Sequence, residues 1–215
     1  MTKIISPSIL SADFGNLQQM CEMINASDAE WLHIDVMDGV FVPNISFGFP
    51  VLEAVKKHCT KLLDVHIMIV HPEKYVQRFA KAGAQMLTFH FEAAENPQQV
   101  IDLIRAEGIQ VGITINPDIP VKVLEPFIDK VDMVLLMTVF AGYGGQKFIE
   151  ESYSRIDELK EMIDRLNPSC LIEVDGGVNE VNAPKLFEHG VNVLVAGSTV
   201  YNAPDPAEMI RKLMK

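Results

Sequence analysis

The chain has little positive charge. Its 18 lysines and arginines face 29 aspartates and glutamates, giving a formal net charge of −11 and a sequence pI of about 4.9. A surface of that sign repels polyanions, which argues against nucleic acid or an anionic membrane as partner. A phosphate ligand would have to be held by local groups rather than by the overall field. Cysteine is sparse as well: Cys21, Cys59 and Cys170 are odd in number and widely spaced, with no C-x-x-C pattern. They offer no disulfide framework, and reduced thiols point to the cytoplasm. Long apolar runs are missing. The longest, around Met133 to Ala141, falls far short of the ~20 residues that cross a bilayer. Lys3 leads straight into a strand-like segment, without the layout of a signal peptide. What remains is ample for a core: 48% hydrophobic content in 215 residues predicts one domain spanning residues 1–215.

Short apolar segments recur at 4–10, 31–37, 62–70, 86–90, 111–115, 133–139, 171–174 and 193–196. They are continuous rather than alternating, so each is expected to be a strand buried on both faces, as in a parallel sheet. Between them, segments 17–24, 50–58, 72–82, 97–107, 120–130, 151–166, 180–189 and 206–214 carry helical periodicity. Several open on proline, whose missing N–H costs nothing in a first turn, and Gly83, Gly108 and Gly190 fall where helices should stop. Eight strand–helix units without a linker predict a (β/α)8 TIM barrel. A doubly wound open sheet is the alternative, disfavoured by the eight regular units and the lack of a dinucleotide-type glycine fingerprint.

Four residues of metal-ligand type stand at the ends of such strands: His33 and Asp35 in Trp31-Leu-His-Ile-Asp-Val-Met37, His66 in Leu63-Asp-Val-His-Ile-Met68, and Asp175 in Ile172-Glu-Val-Asp-Gly-Gly177. Two apart on a strand, His33 and Asp35 project from the same face. Barrel sites lie at the C-terminal ends of strands, so strands two, three and seven would bring all four to one mouth. Carboxylates at an apolar strand end are costly without a cation. Two imidazoles and two carboxylates suit a borderline divalent metal such as zinc, iron or manganese. His58, His71 and His189 fall on helices or beside prolines and are expected at the solvated surface. His90, in Phe89-His-Phe-Glu92, fits a ligand, a group behind a ligand, or core filling equally well.

A second constellation is rich in glycine: Gly142-Tyr-Gly-Gly-Gln146, Asp175-Gly-Gly177 and Ala196-Gly-Ser198 follow strands six, seven and eight. Glycines let backbone N–H groups approach an anion closely, and a short helix starting near Ser198 would turn its positive end to the same place. Three adjacent turns of this kind predict a phosphate site of backbone dipoles, with Lys147 nearby as a solvated surface residue. Met37, Met68 and Met137 end strands two, three and six. They serve either as flexible core filling or as an apolar sulfur wall beside an anionic intermediate.

These segments, together with Ile5-Ser-Pro-Ser-Ile-Leu-Ser-Ala-Asp13, Phe41-Val-Pro-Asn44 and Val195-Ala-Gly-Ser198, resemble the ribulose-phosphate 3-epimerase family along essentially the whole chain. The resemblance implies interconversion of D-ribulose 5-phosphate and D-xylulose 5-phosphate through an enediolate. It places one divalent ion (zinc, iron, manganese or cobalt) on His33, Asp35, His66 and Asp175. Asp35 and Asp175 become the acid–base pair, Asp35 accepting and Asp175 donating in the ribulose-to-xylulose direction. Substrate contacts fall on Ser8, His66, Gly142, Tyr143, Gly144, Gly145, Asp175, Gly176, Gly177, Gly197 and Ser198. The partner is a small phosphorylated ketose, no redox or nucleotide cofactor is required, and a homo-oligomer is expected.

One departure stands out. The family usually has Asn-Pro before the glycines after strand six, and this chain has Phe140-Ala141, with Tyr143 where phenylalanine is usual. Losing that proline is expected to loosen the loop and to open the question of substrate preference. A sister epimerase acting on D-allulose 6-phosphate is the alternative activity, and a silent sugar-phosphate-binding barrel a further one. Related phosphosugar decarboxylases use Asp-x-Lys-x-x-Asp, whereas His33-x-Asp35-x-x-Asp38 has no lysine.

Overall fold

Parallel pairing buries both faces of a strand, and the continuous apolar runs answer that requirement. The computed structural model describes residues 2–215. Its strands are β1 (Ile4–Ser6), β2 (Trp31–Met37), β3 (Leu62–Met68), β4 (Met86–His90), β5 (Gln110–Ile115), β6 (Met133–Met137), β7 (Leu171–Asp175) and β8 (Val193–Val195). All pair in parallel, in the order β1-β8-β7-β6-β5-β4-β3-β2. The sheet curls until its edges meet. His33 N donates to Pro7 O at 3.0 Å, and Ser8 bridges His33, so a narrow rung between β1 and β2 closes the expected (β/α)8 barrel.

Helical structure fills every connection: α1 (Leu17–Ala26), α2 (Phe49–His58), α3 (Val76–Ala82), α4 (Pro97–Ala106), a 3-10 helix (Val121–Lys130), α5 (Ser152–Leu166), α6 (Ala183–Glu188), and α7 (Ser198–Tyr201) followed by α8 (Pro206–Leu213). Three expectations are corrected. Segment 120–130 is 3-10 rather than α, with Pro126 in its interior, where a missing N–H and a ring clash oppose α-helical bonding. Segment 72–82 splits into a 3-10 turn (Pro72–Lys74) and α3. In segment 4–10 the strand ends at Ser6, because Pro7 has no N–H to give, and beyond it only the isolated Ser8 bridge to β2 remains before Ser8 Oγ accepts from Leu10 N to start a 3-10 turn. Among the described residues no helix is long and apolar enough to cross a membrane.

The barrel interior is layered. Ile4, Trp31, Met86, Met133 and Val193, flanked by Leu62 and Leu171, plug the N-terminal end. A larger apolar shell lies between strands and helices. Above the plug the interior turns polar: Ser6, His33, Asp64, Thr88 and Glu173, then Ser8, Asp35, His66, His90 and Thr114, all buried. Pairing of β2 with β3 sets Asp64 beside His33 and His66 beside Asp35.

Candidate active site

The four predicted ligands converge. His33, Asp35, His66 and Asp175 each offer an atom, and these atoms all lie within 4.8 Å of one another. Asp35 Oδ1 is 3.2 Å from His33 Nε2 and 3.0 Å from His66 Nδ1, separations that ligands of a shared ion adopt. Asp35 Oδ2 accepts from Ser8 Oγ at 2.6 Å. Burial pushes Asp35 up, but neighbouring His33 and His66 outweigh it and hold the carboxyl well below the usual range. Asp175 moves the other way, up to about 7, through burial and then the charge of Asp35. Burial lowers His33, yet the carboxylates of Asp35 and Asp64 lift it well above an ordinary imidazole. Positive charge is therefore favoured at this spot, and the donor set suits zinc, iron or manganese.

Behind the four expected ligands stand buried groups that the sequence reading passed over. Asp64 Oδ2 lies 2.6 Å from His33 Nδ1 and accepts from Ser6 Oγ at 3.2 Å. Glu173 lies 3.8 Å from the same nitrogen, and neither of its oxygens finds a hydrogen-bond partner. Burial and then Asp64 raise its pKa well above the usual range. His33, Asp64 and Glu173 also gather within ligand distance. The 2.6 Å contact is a hydrogen-bond length, however, and is short for two atoms each about 2.0–2.2 Å from one tetrahedral ion. Both carboxyls were visible in principle: each precedes a ligand by two residues and so shares its inward face.

His90, left open among three roles, stands behind His66, one of the expected ligands. Its Nε2 is 2.9 Å from His66 Nε2, and its Nδ1 is 3.3 Å from Glu92 Oε1. Burial lowers its pKa to about 4, which keeps the ring neutral. His58 and His71 are exposed as expected. His189 is a correction: it is half-buried, pairs with Asp157 at 2.6 Å and packs on Tyr153.

A cleft opens above the cluster, with Asp35 and Asp175 at its floor. Ser8, Gly142, Tyr143, Gly144, Gly145, Gly176, Gly177, Gly197 and Ser198, the expected substrate contacts, all line it. His66 does not; it lies beneath, behind Asp35. Ser11 and Gln146 line it without having been singled out. No lysine or arginine among the described residues lines the cleft, and Lys147 is exposed outside it. Several cleft glycines are tightly walled: at φ +119°, a Cβ on Gly176 would lie 2.3 Å from Val139 Cγ2. A Cβ on Gly177, at φ +69°, would lie 2.3 Å from Phe148 N, and one on Gly197 would lie 2.7 Å from Ser11 Oγ. Met37, Met68 and Met137 are buried, as core filling requires, and their ends also line the cleft.

The loop carrying Phe140-Ala141 is tied down without its proline. Asn44 Nδ2 donates to Gly142 O at 2.9 Å, Tyr143 Oη to Pro43 O at 3.0 Å, and Gln146 Nε2 to Phe140 O and Tyr143 O at 2.7 and 2.9 Å. Ala141 N donates to Asn116 Oδ1 at 3.0 Å. The expected loosening is thus opposed by four side chains.

Solved structures share the barrel at low identity. They include a 3-hexulose-6-phosphate synthase (18% identity, TM-score 0.69, covering 100% of this chain and 98% of that one). An orotidine 5'-phosphate decarboxylase from Pyrococcus horikoshii OT3 is another (14%, TM-score 0.70, covering 98% and 97%). At such identity they establish the fold alone. Sequence relatives go further. A ribulose-phosphate 3-epimerase of Bacillus subtilis (strain 168) is 47% identical over 210 residues, covering 97% of each chain. The chloroplastic ribulose-5-phosphate-3-epimerase of Arabidopsis thaliana is 43% identical over 210 residues, covering 97% of this chain and 75% of its own. The sequence profile of the ribulose-phosphate 3 epimerase family matches residues 4–201, and the chain belongs to that family.

Proposed function

We propose that the chain interconverts D-ribulose 5-phosphate and D-xylulose 5-phosphate by moving the C3 proton between Asp35 and Asp175. The observation that carries this reading is the meeting of two oppositely perturbed carboxyls, Asp35 held low and Asp175 raised, on the floor of one cleft. Environments that separate two carboxyl pKa values assign a base and an acid. Asp35 then takes the proton beside the C2 carbonyl and Asp175 returns one to the opposite face. His33, Asp35, His66 and Asp175 would hold one divalent ion, which supplies Lewis-acid stabilisation of the negative charge that develops on the substrate oxygens. Ser8 orients Asp35 through its Oγ. The three methionines keep that side of the cleft apolar.

Backbone N–H groups of Gly142–Gly145, Gly176–Gly177 and Gly197–Ser198 would hold the phosphate, since no basic side chain lines the cleft. The same reading places the protein in the cytoplasm, where three buried, unpaired thiols persist, and in a homo-oligomer, which sedimentation would measure. The decisive assay compares kcat/KM on D-ribulose 5-phosphate and D-allulose 6-phosphate after chelation and after restoring zinc, iron, manganese or cobalt singly. Ribulose 5-phosphate should be preferred, with no turnover after chelation. A preference of about tenfold for the hexulose phosphate, about 1.4 kcal/mol in the transition state, would favour the sister activity.

A further inference from the structure

His66 has two ring nitrogens, and only one faces the Asp35 cluster. Which of them carries the proton decides whether that nitrogen can donate a lone pair to a cation. A chain of buried and half-buried groups runs from the other nitrogen to the backbone of the glycine loop, and its polarity can be read from the far end. Ala141 N is a backbone N–H and can only donate; it does so to Asn116 Oδ1 at 3.0 Å. The Asn116 amide is thereby oriented, and its Nδ2 donates to Glu92 Oε1 at 2.8 Å. Asn116 N, again an obligatory donor, reaches the same oxygen at 3.0 Å. Glu92 is therefore an acceptor, and His90 Nδ1, 3.3 Å away, carries its hydrogen toward it. His90 Nε2 is left with its lone pair. His66 Nε2, 2.9 Å away, must then be the protonated nitrogen, and His66 Nδ1, 3.0 Å from Asp35 Oδ1, is bare.

We propose that His90, Glu92 and Asn116 form a positioning relay, anchored on the Ala141 N–H, that fixes His66 in its Nε2–H tautomer with Nδ1 aimed at the Asp35 cluster. The proposal rests on the reading of His66 as a metal ligand and adds what prepares it. None of the three relay residues lines the cleft, so none touches substrate, and their effect passes through His66. His90 is held in place by more than its hydrogen bonds: its ring stacks on His66 with centroids 5.0 Å apart and meets Phe41 at 4.6 Å. The relay also gives Phe140-Ala141 a structural task, since the loop that walls the cleft supplies the donor that sets the polarity of the whole chain.

Two measurements on the full-length protein test this. In metal-free, 15N-histidine-labelled protein at about pH 8, above the ordinary imidazole range, long-range proton–nitrogen correlations should show His66 protonated at Nε2 and His90 at Nδ1. Zinc and cobalt affinities, from chelator competition, should fall about ten- to a hundredfold in His90→Leu, which can accept no hydrogen bond. His90→Gln, whose amide oxygen can accept from His66, should recover most of that loss. Glu92→Leu should weaken affinity as His90→Leu does, while Glu92→Gln, which keeps an acceptor, should stay within a few-fold of wild type. Thermal unfolding of each variant separates misfolding from loss of the relay, and the Gln variants carry the test if a Leu variant does not fold. His66 protonated at Nδ1, or wild-type affinity in a folded His90→Leu, overturns the relay. If wild type shows the Nε2–H tautomer yet binds neither metal, the metal reading fails and the tautomer assignment stands.

Discussion

Asp35 and Asp175 differ in their surroundings more than in their chemistry. Asp35 accepts from Ser8 Oγ and stands beside the rings of His33 and His66, whereas Asp175 faces the cleft with the charge of Asp35 as a principal neighbour. If each serves one face of a planar enediolate, each handles the proton of only one epimer. Asp175→Asn should then incorporate solvent deuterium into ribulose 5-phosphate without forming xylulose 5-phosphate, and Asp35→Asn should show the reverse preference. Metal content must be confirmed in both variants, because both residues are proposed ligands. Metal-loaded variants that label the same epimer would falsify the two-base assignment. The residue scale also explains the cost of the polar interior. Glu173 is buried without a hydrogen-bond partner, and burial pushes its pKa up, which favours the form that leaves no charge desolvated beneath the site.

At the scale of elements, short loops are fixed by side chains acting on backbone. Asp38 accepts from Val40 N, Phe41 N and Val70 N, each at 2.8 Å, and so ties the loop after β2 to the end of β3. Burial pushes its carboxyl up, but the Val70, Val40 and Phe41 N–H groups outweigh that and lower its pKa. A depressed carboxylate pKa adds stability above the unfolded value of about 3.9 and loses it as pH falls through the folded value. Asp38→Ala should therefore cost about 1–3 kcal/mol at neutral pH, and the gap to wild type should shrink below about pH 4. Equal costs at both pH values in urea unfolding would show that the charge is not what holds the loop. The phosphate cradle gives a second test. Gly197→Val places carbon against Ser11 and displaces a backbone donor. Losing a hydrogen bond to a charged group, about 1.5–3 kcal/mol, should raise KM about ten- to a hundredfold. Lys147→Ala, outside the cleft, should change KM little. A larger effect at the lysine would mean that the phosphate is held by side-chain charge.

For the whole molecule, the site and the fold are linked by mass action. The proposed ligands come from β2, β3 and β7, so an ion that binds them together binds only the closed barrel. At about a hundredfold excess over Kd it should add about 2.7 kcal/mol of stability, which for a chain of this size raises Tm by about 5–10 °C. Calorimetry of chelated and zinc- or cobalt-loaded protein measures this, and His66→Ala should abolish most of the shift. An unchanged Tm in wild type at saturating metal would separate the cluster from metal binding. The net charge of −11 acts at the same scale. It opposes any phosphorylated ligand at long range, and a cation in the cluster would offset that field where it matters.

The sequence by itself determined the barrel and most of its mouth. Continuous apolar strands can be satisfied only by parallel pairing with both faces covered, and eight of them in series close on themselves. His33, Asp35, His66 and Asp175 were legible because strand periodicity is local: residues two apart share a face, and strand ends in a barrel share a rim. Proline and glycine marked turns for the same local reason, though Pro126 turned an expected α-helix into a 3-10 one. Tertiary structure decided what stands behind each proposed ligand. Nothing local says that Asp64 faces His33 or that His90 meets His66, since those contacts depend on the register between neighbouring strands. Nor could the chain order show that Asn116, Glu92 and Ala141, drawn from three successive connections, share one hydrogen-bonded line. Periodicity places a side chain on a face; only register and closure of the sheet choose its neighbour, and it is the neighbour that sets a carboxyl's charge and an imidazole's tautomer.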